Sequence, residues 1–321
     1  MTPPMRADPA RAAAPADARP PAGTSALEAL LGGEVALAPG AVRHPGEMEV
    51  DVALVGGGGA GLSLVIALDR LLNAADAPAR RPSIAIIDPV HRRENDRTWC
   101  FWDDGINPLE TIIHQHWNRI ALVGTDGAEQ VHTLRGLRYA MIRGEDFYAL
   151  ADDAAARLGA VRMPVAVDEV TDGDQWATVR AGEARVRARW VFDSRPAAPV
   201  QPGRTALLQH FRGWYLRFHH DALDPSLATL MDFTVPQPRH GTAFCYVLPS
   251  DRRRALIEYT EFSRGVLPGH EYDAALEGYL RERWGSGGAP GTYTIEQVEQ
   301  GVVPMTDAVF GRTAGRRVFR L

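Results

Sequence analysis

The chain has 321 residues, 45% of them hydrophobic and 23% charged, which is enough to build two substantial folded units. Its formal net charge is −5, with acidic and basic residues interspersed, so no basic stripe is available to track a nucleic-acid backbone and nucleic acid is not an expected partner. All 35 basic residues are arginine, since lysine is absent, which excludes Schiff-base catalysis and the phosphate-gripping lysine of a P-loop.

In chain order, residues 1–48 are rich in Ala, Pro and Arg, with no apolar signal core, and read as a disordered tail. Order is expected from about Val50, where VDVALVGGGGAG reads as an apolar strand, a glycine turn and a helix from Gly61 to about Ala74. The apolar run Leu62–Leu72 is interrupted by Asp69 and Arg70 and falls short of the roughly 20 residues that a membrane span requires. A second strand, Ser83–Asp88, is followed by the polar loop HRRENDR and an aromatic cluster of Trp99, Phe101 and Trp102. Helix is predicted again over Glu145–Leu158. Short alternating segments follow around Val161–Val167, Trp176–Val179 and Val186–Phe192. Leu207–Phe262 is rich in strand signals punctuated by Pro and Gly, and a last helix is predicted at Tyr272–Trp284.

The pattern GxGxxG falls on Gly56, Gly58 and Gly61, after a strand and at the mouth of a helix. In that place the first glycine allows a tight turn, the second lets a pyrophosphate approach the backbone, and the third permits close packing of helix on strand. The free N–H groups and positive dipole end of the helix then face the phosphates. Asp88 ends the second strand, where a carboxylate accepts hydrogen bonds from the adenosine ribose and repels a 2′-phosphate, which favours FAD or NAD over NADP as the resident nucleotide. The expected fold is α/β, a Rossmann-like FAD-binding domain with an inserted, mainly antiparallel β substrate domain. The first would comprise 49–200 and 301–321, the second 201–300. The residues alone leave FAD and NAD both open; a glycine motif that opens the ordered chain, followed by a long strand-rich insertion, resembles flavoproteins of the hydroxylase type more than classical dehydrogenases.

Further segments are NDRTWCFW (Asn95–Trp102), VFDSRP (Val191–Pro196), LLQHFRGW (Leu207–Trp214), MDF (Met231–Phe233), FCYVLP (Phe244–Pro249), ALIEYTEFS (Ala255–Ser263) and GVVPMTD (Gly301–Asp307). In this order and spacing they resemble the bacterial flavin-dependent lycopene cyclases, over the chain from about Val50 to its end. In that family a carboxylate in the motif written FLEET in plant members is required for cyclisation. The matching segment is Leu256–Thr260, which singles out Glu258 as the catalytic acid. The family's second glutamate is replaced by Tyr259, so a carboxylate pair cannot be read from this motif; Glu261 lies on the same predicted strand but faces the other way. The resemblance also implies reduced FAD with NADPH or NADH as electron source, and lycopene as substrate. A peripheral, cytoplasmic-side association with the membrane follows from so apolar a substrate. Family members continue for several tens of residues beyond the match to Leu321, and GRTAG (Gly311–Gly315) resembles the start of their second glycine-rich segment. The FAD-binding domain is therefore expected to be incomplete at its C-terminus.

The chemistry implied sets its own demands. Lycopene offers no heteroatom, so ring closure must begin by protonating C2 of a terminal double bond. Attack by C6 on the C1 cation moves the charge to C5, and loss of the C6 proton gives a beta ring. A carboxyl among apolar side chains is held protonated at neutral pH and can serve as the acid. Aromatic faces stabilise a passing cation, and Trp99, Phe101, Trp102, Phe244, Tyr246 and Tyr259 are the candidate substrate contacts. Taken alone, each aromatic reads as ordinary core, and Glu258 beside Arg254 reads as a solvated strand residue; only the resemblance reverses that balance. Cys100 and Cys245 have no disulfide or zinc spacing and point to a reducing cytoplasm. His210, His219, His220 and His240 have no ligand spacing, so no metal is expected. Two alternatives stay open: an FAD-dependent monooxygenase or other flavin oxidoreductase, and an inactive flavin-fold fragment.

Overall fold

The computed structural model describes residues 47–74 and 80–321. Strand β1 (Glu47–Val55) leads through a glycine turn into helix α1 (Gly59–Leu72) and back to β2 (Ile84–Ile87), which lies parallel to β1. Glu47 and Met48, assigned to the tail from sequence, open β1 and pair with Arg185 and Val186; the rest of that tail lies outside the described residues. Val52, Leu54, Ile84 and Ile86 are almost fully buried, as near-continuous apolar runs are in a parallel sheet covered on both faces. Helix α1 buries Leu62, Val65, Ile66, Leu68 and Leu72 at helical spacing. Its Asp69, also buried, is held by the guanidinium of Arg157 at 2.9 Å.

Between β2 and the next helix the chain makes β3 (Thr98–Asp103), β4 (Gln115–Trp117), β5 (Arg119–Val123), β6 (Glu129–Thr133) and β7 (Arg138–Arg143). Helix α2 (Gly144–Leu158) follows and is closed by Gly159, whose φ of +65° is the left-handed conformation a helix C-terminus favours. Then come β8 (Val161–Met163), β9 (Glu169–Thr171), β10 (Ala177–Ala181) and β11 (Ala184–Asp193). The first sheet has the order β8-β2-β1-β11-β10-β9. Its β11 runs parallel to β1, and its outer edge is shared by β10 along the first half and by β17 (Val318–Arg320) along the second. This is the expected nucleotide-binding architecture.

The second sheet, with seven strands like the first, is mainly antiparallel, and β5 and β6 form one of its ends. Its strands are β12 (Ala206–Phe218), β13 (Leu227–Asp232), β14 (Thr242–Pro249), β15 (Arg254–Ser263) and β16 (Tyr293–Thr306), extended by β5 and β6. The partition at residues 201 and 300 therefore differs from the strand pairing. Residues 119–133 join the second sheet because β5 pairs in parallel with β13, and β16 runs on to Thr306 before the chain returns to β11. These pairings are long-range and leave no mark on local composition.

The inner strands β12, β14 and β15 of the second sheet alternate between two buried faces. One carries Trp214, Leu216, Phe218, Ala243, Cys245, Val247, Ile257 and Tyr259 against helix α3 (Gly269–Trp284). Tyr272, Leu276, Tyr279 and Leu280 of α3 are at most 3% exposed, and burying each is worth roughly 1.5–3 kcal/mol, so packing rather than propensity holds this helix. The other face carries Tyr215, Tyr246, Leu248 and Leu256 and packs against a small sheet of order β3-β7-β4, which contributes Cys100, Trp117, Tyr139 and Met141. Among the described residues no helix is long and apolar enough to cross a membrane.

Candidate active site

The space between the small sheet and the second sheet is a cavity of about 260 Å³, lined on one side by Thr98, Trp99, Cys100 and Tyr139 and on the other by strands β12, β14, β15 and β16. Glu258 and Glu299 lie in its wall. In register, Glu258 of β15 and Glu299 of β16 both pair with Gly213 of the intervening β12. The three residues thus form one row across the sheet on a single face. A Cβ at Gly213 would stand 3.2 Å from Glu299 Cγ and 3.4 Å from Glu258 Cβ. The missing side chain is what lets two carboxyls from non-adjacent strands approach each other closely enough for the charge of Glu299 to act on Glu258.

Each carboxyl has a hydroxyl donor. Thr260 Oγ1 donates to Glu258 Oε1 at 2.8 Å, and Thr98 Oγ1 donates to Glu299 Oε2 at 2.8 Å. With its one proton spent, Thr98 accepts in turn from the phenol of Tyr215. Glu299 is only 8% exposed, and the accessible part of Glu258 faces the cavity. Burial raises Glu258 from 4.5 to about 8, with the negative charge of Glu299 adding to the effect. Burial also raises Glu299, while the hydrogen bonds from Thr98 and Glu258 favour its charged form. One proton therefore resides mainly on Glu258, with Glu299 as its acceptor, in the manner of carboxylate pairs that cannot both ionise. The other titratable lining groups stay neutral: burial pushes the Cys100 thiol and the Tyr246 phenol up to about 12, and Tyr139 higher still.

Of the residues the sequence reading names, Trp99, Tyr246 and Glu258 line this cavity. Phe244 is buried on the same face, behind Tyr246 at a ring distance of 5.2 Å. Phe101 is part-buried outside the lining, and Trp102 is 52% exposed and rests on Tyr139. Tyr259 points away. It lies on the α3 face, where its hydroxyl donates to Glu261 at 3.1 Å and its ring meets Tyr272, because adjacent residues on a strand face opposite sides. Glu261 lies on that same far face, 3.8 Å from buried His210, and does not stand in for a second acid. Glu299, Thr98, Tyr139 and Phe211 are lining residues the sequence reading missed. Phe211 finds room because its partner in the ladder, Gly301, has no side chain; a Cβ there would come within 2.4 Å of the ring.

The glycine turn adjoins the cavity through Trp99, whose indole would lie 3.4 Å from a Cβ on Gly59. Gly56 has φ +101°, and a Cβ on Gly61 would fall 2.2 Å from the Gly56 carbonyl oxygen, so both positions require glycine. The space beside Gly58 is open. Helix α1 begins there with no side-chain cap and no acidic residue in its first turn, leaving its N–H groups free for phosphates. Asp88 is held in place by the N–H groups of Gly57 at 2.6 Å and Val90 at 2.7 Å, with Arg92 at 3.4 Å on the oxygen that Gly57 meets, and the oxygen that Val90 meets keeps a lone pair for a ribose hydroxyl. Residues Gly56, Gly58, Gly61 and Asp88 therefore fit a dinucleotide cofactor.

In comparisons with known proteins, the family described as "Lycopene cyclase protein" matches residues 51–321. No curated protein matches the chain in sequence. Among solved structures, a geranylgeranyl bacteriochlorophyll reductase-like protein from Thermoplasma acidophilum is similar at a TM-score of 0.60 and 13% identity, over 86% of this chain and 71% of its own. The p-nitrophenol 4-monooxygenase PnpA from Pseudomonas putida DLL-E4 is similar at 0.59 and 13%, over 85% and 72%. The flavin-dependent monooxygenase PieE, solved with FAD and substrate, is similar at 0.60 and 16%, over 85% of this chain but only 52% of its own. At such identities these likenesses concern the fold, a Rossmann-like FAD-binding one.

Proposed function

The chain belongs to the lycopene cyclase family, and from that premise we propose that it is a lycopene beta-cyclase, an isomerase that closes the linear ends of lycopene into beta rings with no net redox change. The observation that carries this reading is the carboxyl pair of Glu258 and Glu299 in a cavity walled by Trp99, Tyr139, Phe211 and Tyr246. Glu258 delivers its proton to C2. The positive charge then passes from C1 to C5 among aromatic faces, each worth on the order of 0.5–2 kcal/mol to a desolvated cation. Glu299, left ionised by its partner's proton, takes the proton from C6. One proton enters and one leaves, so no oxidant is consumed.

The cavity, about 260 Å³, is below the range of roughly 300–1,000 Å³ that encloses a whole small ligand, which suits one end of a long polyene at a time. Gly56, Gly58, Gly61 and Asp88 would hold FAD, which in its reduced form, recharged by NADPH or NADH, would supply negative charge to stabilise a cation. Val302, Val303, Met305, Val309 and Phe310 are exposed apolar residues through which the protein would rest on the membrane that holds its substrate. Expression in lycopene-accumulating cells tests the reading, with extracted pigments resolved into linear, monocyclic and bicyclic forms. Rings from the native chain and none from Glu258→Gln would support it; hydroxylated or desaturated products would replace it with an oxidoreductase.

A further inference from the structure

Glu299 is not a dead end. Its Thr98 partner lines the aromatic cavity, whereas Tyr215, which donates to Thr98, lines a second cavity of about 340 Å³ on the far side. That second cavity is polar, with Asn95, His114, Arg143, Glu296 and Gln297 in its wall, and it offers the room and the hydrogen-bonding partners that ordered water needs. The row Glu258, Glu299, Thr98, Tyr215 thus runs without a break from the reaction cavity to this polar one.

We propose that Thr98 and Tyr215 form a proton relay that exchanges the carboxyl pair's proton with solvent in the polar cavity, acting through Glu299 as positioning residues for the acid. The inference rests on the cyclase reading and deepens it. After ring closure Glu258 is ionised and Glu299 carries the proton taken from C6. Glu299 can return that proton to Glu258 directly, which resets the pair with a substrate-derived proton. Through the relay, once Glu299 is protonated both hydroxyls turn about, so that Glu299 gives its proton to the Thr98 oxygen, Thr98 gives its own to the Tyr215 oxygen, and Tyr215 gives its own to water. A solvent proton retraces the same path to the pair, so charge and protons balance. Both hydroxyls act as donor and acceptor in one step and neither needs to ionise, which matters because burial holds the Tyr215 phenol far above neutrality. A hydroxyl pair serving only to satisfy Glu299 would stabilise the carboxylate equally but would leave isotope exchange untouched.

The test runs the FAD-loaded full-length enzyme on lycopene in liposomes made up in heavy water, and measures deuterium per ring by mass spectrometry. The native enzyme should place one deuterium in each ring formed. Tyr215→Phe should still close rings, and Thr98→Val should close them more slowly for want of the hydroxyl that supports Glu299, both with deuterium per ring cut to half or less, the remainder being protium carried over from an earlier C6. Thr98→Ser should restore full labelling. Full labelling in Tyr215→Phe overturns the relay while leaving the cyclase reading intact, and so does native product without deuterium. No rings from the native enzyme refutes the cyclase reading and the relay with it. If Thr98→Val does not fold, Tyr215→Phe alone decides.

Discussion

Glu258 and Glu299 sit on strands that do not touch, yet their carboxyls meet over Gly213, the residue that both pair with on the strand between them. A row of three on one face of an antiparallel sheet normally holds three side chains. Here the middle one is missing, and the two outer carboxyls come close enough for the charge of Glu299 to hold the proton on Glu258.

Glu258→Gln and Glu299→Gln should each reduce ring formation by about 100-fold or more, the size expected when a general acid or base is lost. The two effects should not add in the double variant, because the carboxyls act as one unit. Initial rates of pigment conversion by the purified holoenzymes give both numbers. Undiminished turnover in Glu299→Gln would show that C6 loses its proton elsewhere.

Burial raises Glu258 from 4.5 to about 8, so the protonated acid persists through neutrality and cyclisation should decline as pH rises past about 8. Stability follows the same sign. The folded state binds the proton more tightly than the unfolded chain, so this contribution is complete below about 4.5, shrinks as pH rises and is gone above about 8. Glu258→Gln abolishes that dependence. Its melting temperature should therefore gain on the native protein's between pH 5 and 9, and parallel curves across that interval would contradict the assignment.

Gly213→Ala places a methyl group 3.2 Å from Glu299 Cγ and 2.8 Å from Leu256 Cδ1. The leucine end can yield, so the fold should survive with a loss of about 1–3 kcal/mol. The carboxyls should be pushed apart, with Glu258 returning toward ordinary acidity. The readout is an activity loss of tenfold or more, accompanied by a downward shift of the alkaline limb of the pH profile.

At the nucleotide motif, Gly61→Ala drives a methyl group against the Gly56 carbonyl oxygen, a backbone atom with nowhere to go. Flavin content after purification should fall to near zero. Asp88→Ala should weaken flavin retention less severely, removing a ribose acceptor and the anchor of the Gly57 N–H together.

Tyr259→Phe should leave pigment products unchanged and cost about 1 kcal/mol of stability, because only a buried hydrogen bond to Glu261 is lost. An altered product pattern would place Tyr259 in the reaction cavity after all.

Much of the nucleotide half was legible before any coordinates, because its signals are local. A strand, a glycine turn, a helix and an acid at the next strand end follow one another within a single βαβ unit, and each glycine answers to a steric demand of its own neighbourhood. Glu258 was singled out through a family motif, not through anything in its immediate surroundings. Parity along the strand already turned Glu261 away from Glu258, and the same rule applied to Tyr259 would have removed it from the substrate contacts.

Glu299 carried no such mark. It belongs to an edge strand whose neighbours Val298, Val302 and Val303 are exposed, so neither apolar alternation nor a motif distinguishes it from Glu296 on the same strand. Its place beside Glu258 is decided by the register of β12 with two partners at once. Register is set by long-range pairing and by which face must be buried. The sequence by itself determined the nucleotide motif and, through the family resemblance, the principal acid. Only the tertiary structure supplied the second carboxyl, the glycine that joins the pair, and the hydroxyl row behind it, since those residues become neighbours only when distant strands align.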